Sequence, residues 1–261
     1  MTPNAEIDPY DLLARFYDAG MAGFADDIDL YLELDRRGDP PVLDLGCGSG
    51  RVALAVARGG RAVVGIDRSI AMLDLARAKL AAEPDLPVSL LQADMRALAL
   101  DTRFGLIAVP LDSFLHLESS AGQLACLRGA RAHLGEGGLL VIDIAGPASA
   151  GWEDWSPGVR PLVHAWGAAL PDGGSVSKYS SFCADASAQT HRVTEIYEQL
   201  DSNGGVRRWL AEYSLRYVFP AEFDLLLAAA GLRVEARYGD YDLSPFSAES
   251  PRQIVVAAAP P

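Results

Sequence analysis

A glycine-rich turn follows the short apolar run Val42–Leu45. Gly46, Gly48 and Gly50 occupy alternate positions of this turn, and Arg51 comes directly after it. Because glycine has no Cβ, such a turn lets the backbone pass close beneath a ligand, and the helix that follows directs its first amides toward that ligand. A dinucleotide site would have a further glycine at position 51, where this chain has arginine. The turn therefore predicts a ligand site, and Arg51 argues against a nicotinamide dinucleotide.

Two acidic residues extend this pattern to the next two apolar runs. Asp67 directly follows Gly65 and Ile66, and Asp94 lies in the turn 92–95. A carboxylate at the first position can accept hydrogen bonds from both hydroxyls of a ribose, and one at the second can hold the edge of an adenine. Each feature alone is also typical of a tight turn or a helix N-cap. All three occur in order at predicted strand ends, where ligands of open α/β sheets bind, so together they favour a ligand site.

From residue 41 onward, apolar runs alternate with amphipathic segments, which predicts parallel strands covered by helices on both faces. The predicted strands are Val42–Leu45, Ala62–Ile66, Val88–Leu91, Phe104–Val109, Leu139–Ile144, Arg233–Tyr238 and Gln253–Ala257. The predicted helices are Arg51–Arg58, Ser69–Ala82, one between the fourth and fifth strands, and one from Pro220 to Gly231. We predict an α/β fold with a doubly wound, mostly parallel, seven-stranded Rossmann-like sheet.

Two segments lie outside this pattern. Residues 1–40 carry apolar residues at helical spacing and predict an N-terminal helical cap with solvated acidic faces; a docking surface for a basic partner is the alternative. Residues 146–219 contain three runs of alternating polar and apolar residues, which predict an antiparallel β insertion after strand five. The predicted domains are therefore the cap 1–40, the sheet domain 41–145 with 220–261, and the insertion 146–219.

These features resemble the class I S-adenosylmethionine-dependent methyltransferases, in their bacterial small-molecule subgroup. The glycine turn, Asp67 and Asp94 are similar to that family's glycine motif, ribose acid and adenine acid. The resemblance covers nearly the whole chain and includes the segments Tyr10-Asp11, Tyr17-Asp18, Leu215-Arg216-Tyr217 and Tyr238-Gly239-Asp240. It implies that the cofactor is S-adenosylmethionine and that the product formed from it is S-adenosylhomocysteine.

The resemblance assigns the glycine turn to the methionine part of the cofactor. The turn residues that it counts as cofactor-binding are Asp44, Gly46, Cys47 and Gly48. Gly46 and Gly48 would pass beneath the methionine part, and Asp44 would order the turn. Arg51 and Tyr17 are the residues that the resemblance offers for the cofactor's carboxylate.

The resemblance places the nucleoside along the next two strand ends. Asp67 would hold the ribose hydroxyls, and Arg68 and Met72 would pack near the adenine. Asp94 would accept a hydrogen bond from the adenine amino group, while the backbone of Met95 would meet the ring.

The cofactor determines the chemistry that this site would need. A sulfonium methyl is already electrophilic, so the protein need only align the acceptor in line and exclude water. Leu111, after the fourth strand, would line the cofactor beside the methyl group. His116 is the candidate general base because its ordinary pKa suits proton removal near neutrality, and a histidine that only hydrogen-bonds within the loop is the alternative. Asp112 could instead orient an amine.

The insertion is rich in aromatic residues, which are Trp152, Trp155, Trp166, Tyr179, Tyr197, Trp209, Tyr213 and Tyr217. They suit the apolar walls of an acceptor pocket, and they equally suit the insertion's own core or the interface of a homodimer. Alternate residues of a strand face opposite sides, so both interpretations can hold. Of the other histidines, His164 could border an acceptor pocket, His133 fits a helix-end contact, and His191 is predicted on a solvated strand face.

Composition narrows the range of partners. The 261 residues include 22 Lys plus Arg and 35 Asp plus Glu, a formal net charge of −13, which repels phosphate backbones. The first residues lack the basic and apolar regions of a signal peptide, and no apolar run approaches the length of a membrane span. The three cysteines form neither a disulfide framework nor a metal motif. We expect a cytoplasmic protein that binds no nucleic acid, membrane or metal.

The predicted function is methyl transfer from S-adenosylmethionine to an N or O atom of a small molecule. The cofactor motifs do not separate this function from a fold relative that binds S-adenosylmethionine or its product without methylating. A nicotinamide-dependent oxidoreductase is a third interpretation, which Arg51 disfavours. Residues 109–112 lack an Asn-Pro-Pro-Tyr run, which argues against methylation of amides or of exocyclic base amines.

Overall fold

The computed structural model describes residues 9–36, 41–149, 158, 161–170 and 173–260. By their internal contacts, these residues form two compact units. One consists of the described residues in 25–154 and 218–261, and the other of those in 1–24 and 155–217. The segment 1–40 is therefore divided: helix α1 (Pro9–Gly20) belongs to the second unit, and helix α2 (Ile28–Asp35) belongs to the first.

The first unit contains the doubly wound seven-stranded sheet, which confirms the predicted fold class. Its strands are β1 (Val42–Leu45), β2 (Val63–Asp67), β3 (Val88–Gln92), β4 (Phe104–Val109), β5 (Leu134–Ala145), β10 (Arg233–Tyr238) and β11 (Arg252–Ala258). Their order across the sheet is β10-β11-β5-β4-β1-β2-β3, and β11 alone runs antiparallel to both of its neighbours. The strand order reverses at β1 and β4, whose carboxyl ends form the switch point where such sheets bind ligands.

Helices pack against this sheet between its strands. After α2 they are α3 (Arg51–Arg58), α4 (Ile70–Ala81), α5 (Ser120–His133) and α6 (Pro220–Ala229). The apolar side of α2 and α3, including Leu30, Tyr31 and Val52, is buried against β1, β2 and β4. Every residue of β1 and β4 is buried, as continuous apolar runs in a covered parallel sheet require. None of the helices in the described ranges is long and apolar enough to cross a bilayer.

The second unit is a four-stranded antiparallel sheet with α1 packed against it. The strands are β6 (Val163–Ala169), β7 (Ser175–Asp185), β8 (Thr190–Leu200) and β9 (Val206–Arg216), in that order. Phe16 of α1 is buried, stacks on Tyr197 with ring centroids 4.9 Å apart, and meets the edge of Trp209 at 5.2 Å. A Cβ on Gly20 would lie 2.6 Å from the Trp166 ring, so the end of α1 also rests directly on the sheet. These aromatic residues form the unit's own core.

Two details of this unit differ from the predictions. β6 was not predicted because its residues include Ala and Gly, which have low strand propensity, and most of them are exposed at the sheet edge. The prediction for His191 was wrong, because this residue is buried. It lies on the same face of β8 as Val193, Glu195 and Tyr197, which follow it at every second position, and that face is the buried one.

Candidate functional site

The glycine turn after β1 is fastened to the end of β2. The amides of Gly46 and Cys47 both donate to the carbonyl oxygen of Ile66, at 2.8 and 3.0 Å. Gly46, Gly48 and Gly50 have φ values of 74°, 54° and 80°, in the left-handed region that side chains disfavour. A Cβ on Gly48 would meet no described atom within 4 Å. At Gly48 the turn therefore presents bare backbone to open space, as the predicted ligand requires.

Asp67 joins this turn to the beginning of α4. Its carboxylate accepts hydrogen bonds from the Gly48 amide at 2.9 Å and from the Ser69 amide at 2.8 Å. Burial raises the pKa of Asp67 above its ordinary value, and these two amides oppose that shift. The side chain is half-buried at the carboxyl end of β2, so its remaining lone pairs can accept hydrogen bonds from a ligand. Asp67 therefore helps to order the turn through the Gly48 amide, a role that the resemblance gave to Asp44.

Asp44 lies within β1 and is 1% exposed. Neither of its carboxylate oxygens makes a hydrogen bond of good geometry with a described residue, and the backbone of Ala53 stabilises the charged form only in part. Burial raises the pKa of Asp44 to about 7, and the charge of Arg51 only partly offsets this shift. A buried carboxylate without a donor is costly, and a ligand that brings an ammonium group would supply one. This feature, together with the open cradle above Gly48, fits S-adenosylmethionine.

Arg51 forms a buried ion pair with Asp27, which immediately precedes α2. Its Nη1 and Nη2 atoms donate to Oδ1 and Oδ2 of Asp27 at 2.5 and 2.6 Å, and the Asp27 side chain is fully buried. This two-point pairing ties the first residue of α3 to α2 and occupies the groups that the sequence assigned to the cofactor's carboxylate. Sequence analysis missed Asp27 because nothing in its local pattern distinguishes it from its acidic neighbours. Tyr17, the other residue assigned to that carboxylate, belongs to α1 of the second unit.

The residues predicted at the adenine lie after β2 and β3. Asp94 caps a short 3-10 helix, Met95–Ala97, and accepts hydrogen bonds from the amide of Arg96 at 2.8 Å and from its Nε at 2.9 Å. These hydrogen bonds from Arg96 lower the pKa of Asp94, so the carboxylate stays ionised. The Met95 side chain lies against the glycine turn, with Cε 3.4 Å from where a Cβ of Gly46 would be. The structure therefore brings Met95 and the glycine turn together.

Arg68 and Met72 flank the N-terminus of α4. The carbonyl oxygen of Arg68 accepts a hydrogen bond from Nε2 of Gln92, which ties this segment to the end of β3. Met72 is buried, and its amide donates to the capping hydroxyl of Ser69 at 3.2 Å. That Arg68 and Met72 pack near the adenine stays a prediction.

The turn after β4 contains Leu111, Asp112, Ser113 and His116. Leu111 and Asp112 have positive φ values of 43° and 63°, although neither is glycine. Ser113 begins a short 3-10 helix that ends at His116, and its hydroxyl approaches the Gly46 carbonyl oxygen at 3.4 Å. The His116 side chain is half-buried. This turn and the glycine turn therefore meet at the switch point.

Asp143 and Arg252, which the sequence analysis did not select, hold this turn together with Asp112. Asp112 accepts a hydrogen bond from the Ala145 amide at 2.5 Å and pairs with Arg252 at 3.2 Å, so its carboxylate is engaged within the fold. Asp143 is fully buried, and Arg252 Nε donates to it at 2.7 Å. Burial raises the pKa of Asp143 to about 6, while Arg252 opposes the shift. Arg252 is far from both acids in the sequence, so no local pattern could have joined them.

The other histidines lie in different surroundings. His133, at the end of α5, is hydrogen-bonded through Nδ1 to the Gly129 carbonyl oxygen at 2.7 Å, and its Nε2 accepts from the Leu100 amide at 3.0 Å. The predicted helix-end contact of His133 is confirmed. His164 is exposed on β6 of the second unit, with its ring centroid 5.4 Å from that of Tyr179.

A buried carboxylate lies at the centre of the second unit's sheet. Glu195 accepts hydrogen bonds from the hydroxyls of Tyr197 at 2.7 Å and Tyr213 at 2.9 Å, and it forms an ion pair with Lys178. Burial, and then the charge of Glu195, raises the pKa of Tyr213 well above its ordinary value. The two tyrosines predicted as pocket walls thus help to satisfy a buried charge, while Trp152 and Trp155 lie outside the described residues.

Comparisons with known proteins agree with this geometry. A family model described as a methyltransferase domain matches residues 42–138, from β1 into β5. Over 250 residues the chain is 28% identical to the cypemycin N-terminal methyltransferase of a Streptomyces species, a match that covers 96% of this chain and 94% of that protein.

Two solved structures are similar over nearly the full length of the chain. The CcbJ methyltransferase from Streptomyces caelestis is 31% identical with a TM-score of 0.81, over 97% of this chain and 99% of that one. The sugar N-methyltransferase KedS8 from a Streptoalloteichus species is 25% identical with a TM-score of 0.72, over 97% of this chain and 93% of that one. The similarity therefore includes the antiparallel unit as well as the parallel sheet.

Proposed function

The chain belongs to the class I S-adenosylmethionine-dependent methyltransferases and uses S-adenosylmethionine as its cofactor, and from that premise we propose that it methylates an amine nitrogen of a small molecule. The observation that carries the proposal is the full-length similarity to a protein named as the cypemycin N-terminal methyltransferase and to one named as a sugar N-methyltransferase. That similarity extends over the antiparallel unit as well as the parallel sheet.

Charge supports an amine over an anionic acceptor. The chain has a formal net charge of −13, and Asp44, Asp67 and Asp94 all lie along the predicted cofactor edge of the sheet. An amine is cationic at neutral pH, so the field of such a protein raises its local concentration, whereas it repels a carboxylate or a phosphate ester.

Each part of the cofactor has a residue in the first unit that would hold it. Asp67 would hold the ribose hydroxyls, Asp94 the adenine amino group, and Asp44 the methionine ammonium, while the bare backbone of Gly46 and Gly48 would lie beneath the methionine part. When bound, the cofactor supplies a methyl group on a positively charged sulfur, which an uncharged amine can attack directly. The chain's own task is to position the acceptor in line with that methyl and to exclude water.

His116 is the residue we propose to take a proton from the acceptor ammonium. It is half-buried at the end of the turn after β4, next in the chain to the buried Leu115 and Leu117. An amine must lose its proton before it can act as a nucleophile, and a neutral imidazole can accept that proton. Asp112 does not compete for this role, because Arg252 and the Ala145 amide engage its carboxylate.

Replacement of His116 by alanine tests this role. We expect turnover to fall by about 10²-fold or more, the scale of general-base catalysis, while the dissociation constant of S-adenosylhomocysteine stays within twofold of wild type. The matched control is His133→Ala, which removes a histidine from a helix-end contact and should lower stability without lowering turnover. Equal turnover in His116→Ala and wild type would remove His116 from the mechanism.

The reaction is tested by supplying the purified chain with S-adenosylmethionine carrying an isotope-labelled methyl group. The acceptor panel consists of amino sugars and peptides with a free N-terminal amine, each paired with an analogue that has a hydroxyl in place of the amine. We expect the label to appear on nitrogen in at least one amine and in no hydroxyl analogue, by mass spectrometry. Transfer to oxygen alone would overturn the proposal, and tight cofactor binding with no transfer to any acceptor would favour the non-methylating alternative.

The antiparallel unit is where we propose that the acceptor is selected. Its aromatic residues at Phe16, Trp166, Tyr197 and Trp209 pack into one core, and the guanidinium of Arg15 lies 4.6 Å from the Trp209 ring centroid. Apolar walls with few polar groups suit a small organic acceptor. The alternative use of this unit, as the interface of a homodimer, predicts a sedimentation coefficient that depends on protein concentration.

A further inference from the structure

We propose that Arg252 is a positioning residue for the methyl-transfer site, which holds the turn after β4 in a strained shape against the glycine turn. It would act through the two carboxylates it binds, Asp112 and Asp143, and not through the reacting atoms. The inference rests on the proposed function in one respect, since it takes Leu111 to line the cofactor.

The strain lies in two consecutive residues. Leu111 and Asp112 have φ values of 43° and 63°, and the other non-glycine residues with positive φ in the described ranges, Gln189 and Leu243, are not adjacent to each other. A side chain at positive φ brings Cβ close to the backbone carbonyl oxygen, so such residues persist only where their surroundings impose that conformation. Residues held in this way concentrate at functional sites.

Asp143 and Asp112 impose the positive-φ conformation through hydrogen bonds that involve the backbone amides of the turn and of β5. The Leu111 amide donates to Oδ2 of Asp143 at 3.2 Å, and the Asp112 amide donates to the Asp143 carbonyl oxygen at 3.0 Å. In return, the Ala145 amide donates to Oδ1 of Asp112 at 2.5 Å. Each strained residue is therefore bonded to the end of β5.

Arg252 places one positive charge against both acids. Its Nε donates to Oδ1 of Asp143 at 2.7 Å, and its Nη2 and Nη1 atoms lie 3.2 and 3.4 Å from the two oxygens of Asp112. Tyr241 adds a hydrogen bond to Asp143 at 3.0 Å but no charge. Without the guanidinium, the buried Asp143 carboxylate would face the half-buried Asp112 carboxylate with no cation between them, and their repulsion would favour a movement of the turn.

The backbone of Arg252 is itself fixed. Its amide donates to the Gly239 carbonyl oxygen at 2.9 Å, and the preceding Pro251 carbonyl oxygen accepts from the Gly146 amide at 2.8 Å. A Cβ on Gly146 would collide with the Ser250 carbonyl oxygen, so the backbone after β5 and the backbone before β11 lie directly against each other. The guanidinium therefore extends from a rigid point.

The turn that Arg252 holds reaches the glycine turn directly. The Ser113 hydroxyl lies 3.4 Å from the Gly46 carbonyl oxygen, and a Cβ on Gly46 would lie 2.7 Å from that of Ser113. A relaxation of Leu111 and Asp112 would move Ser113, which follows them, and the floor of the cofactor site would move with it.

The test compares Arg252→Gln and Arg252→Lys with Val256→Ala, a control on the same strand. Val256 is buried in the core of β11, so its truncation lowers stability without touching either carboxylate. We expect Arg252→Gln to weaken S-adenosylhomocysteine binding by about tenfold or more in titration calorimetry, and Arg252→Lys, which keeps the charge, to recover part of the loss. Val256→Ala should bind as wild type does.

Amide hydrogen exchange provides a readout that needs no acceptor. In Arg252→Gln, the amides of Leu111, Asp112 and Ala145 should exchange about tenfold faster or more, while those of β1 and β4 stay protected. Val256→Ala should not show this local pattern. Unchanged cofactor affinity and unchanged exchange at these three amides in Arg252→Gln would overturn the proposal.

If Arg252→Gln does not fold, Asp112→Asn and Tyr241→Phe take its place, since each removes one contact of the same cluster. Both should speed exchange at Leu111 without global unfolding, and wild-type exchange in both would overturn the proposal. A chain that methylates no amine but shows the expected exchange changes would refute the proposed function and leave the role of Arg252 standing.

Discussion

Two turns meet at the switch point of the parallel sheet, and they reach the same rare backbone conformation by different means. The turn after β1 uses glycine at positions 46, 48 and 50, where positive φ meets no steric opposition. The turn after β4 places Leu111 and Asp112 in that region, at a cost of about 1–3 kcal/mol for each residue. In the first turn the residue type permits the shape, and in the second the surrounding structure must impose it.

The residues that stabilise the two turns also differ in how far along the chain they lie. The glycine turn is bonded to Ile66 and Asp67, which end the very next strand of the chain. The turn after β4 is bonded to Asp143 and, through it, to Arg252, 140 residues beyond Asp112. The glycine turn can therefore be predicted from a local motif. The turn after β4 cannot, because the residues that hold it meet only when distant strands pair.

Buried ion pairs support both turns, and the pair beside the glycine turn gives the largest expected effect. Asp27→Ala would leave the Arg51 guanidinium partly buried without its two-point partner, so we expect the free energy of unfolding to fall by about 3–5 kcal/mol. Urea unfolding followed by circular dichroism measures this loss.

Asp26→Ala is the matched control, because Asp26 is exposed and next to Asp27 in the chain. We expect its free energy of unfolding to stay within about 0.5 kcal/mol of wild type.

The Asp27→Ala variant also tests whether Arg51 binds the cofactor's carboxylate. If Arg51 binds it, a folded Asp27→Ala variant should bind S-adenosylhomocysteine more tightly than wild type. A loss below about 1 kcal/mol in Asp27→Ala would show that the pair does not anchor α3 to α2.

The second-largest expected effect comes from a substitution at the contact between the two turns. A Cβ added at Gly46 would lie 2.7 Å from the Ser113 side chain, so Gly46→Ala should push the turns apart and weaken S-adenosylhomocysteine binding by about 100-fold, or 2.7 kcal/mol. Titration calorimetry measures this loss.

Gly60→Ala separates this steric effect from backbone strain. Gly60 has a φ of 89° and would meet no described atom within 4 Å, so its variant carries the strain without the collision. Both variants should lose about 1–2 kcal/mol of stability from positive φ alone, and only Gly46→Ala should lose cofactor affinity. Similar cofactor affinities in the two variants would mean that the turns are held independently of each other.

Much of the first turn and of the fold could be predicted from the sequence. Continuous apolar runs predicted the seven strands, and Pro220 marked the beginning of α6, because these signals depend on local residue types. Asp67 was also predicted as a site residue, since it directly ends an apolar run. Its hydrogen bond to the Gly48 amide was not, because that bond depends on the alignment of β1 with β2.

The rest depended on tertiary packing. Asp27 sits in an acidic segment where Asp26 and Asp29 look identical by type, and only the approach of α2 to α3 selects it. The alternation of β8 shows which residues share a face with His191. It does not show which of the two faces is buried, because that depends on the packing of the folded unit. Arg252 begins the last strand, and its partners lie on two other elements.

The third-largest expected effect comes from Asp67, the carboxylate proposed to bind the ribose hydroxyls. Asp67→Ala should weaken the binding of S-adenosylmethionine and S-adenosylhomocysteine by about 1–3 kcal/mol, because a charge-assisted acceptor and the anchor of the Gly48 amide are lost together. Asp74→Ala, on the exposed side of α4, is the control and should bind both compounds as wild type does. Wild-type affinity in a folded Asp67→Ala variant would refute the ribose role.

The smallest effect is a dependence on pH that arises from Asp44. Its pKa is about 7 in the folded protein against 3.8 in the unfolded chain, so the folded protein binds more protons between these values. Stability without ligand should therefore fall as pH rises from about 4 to about 7. Asp44→Asn keeps a neutral side chain at every pH, so its stability should fall less over that range in thermal unfolding.

Cofactor binding should show the opposite trend with pH. The methionine ammonium of S-adenosylhomocysteine beside Asp44 favours the ionised carboxylate, so binding at pH 6 must release a proton that is already absent at pH 8. We expect affinity to rise by up to about tenfold from pH 6 to pH 8 in wild type and to be nearly constant in Asp44→Asn. Titrations in two buffers of different ionisation enthalpy count the proton directly. Equal slopes in the two proteins would place the ammonium away from Asp44 and would leave its buried carboxylate to be satisfied by water.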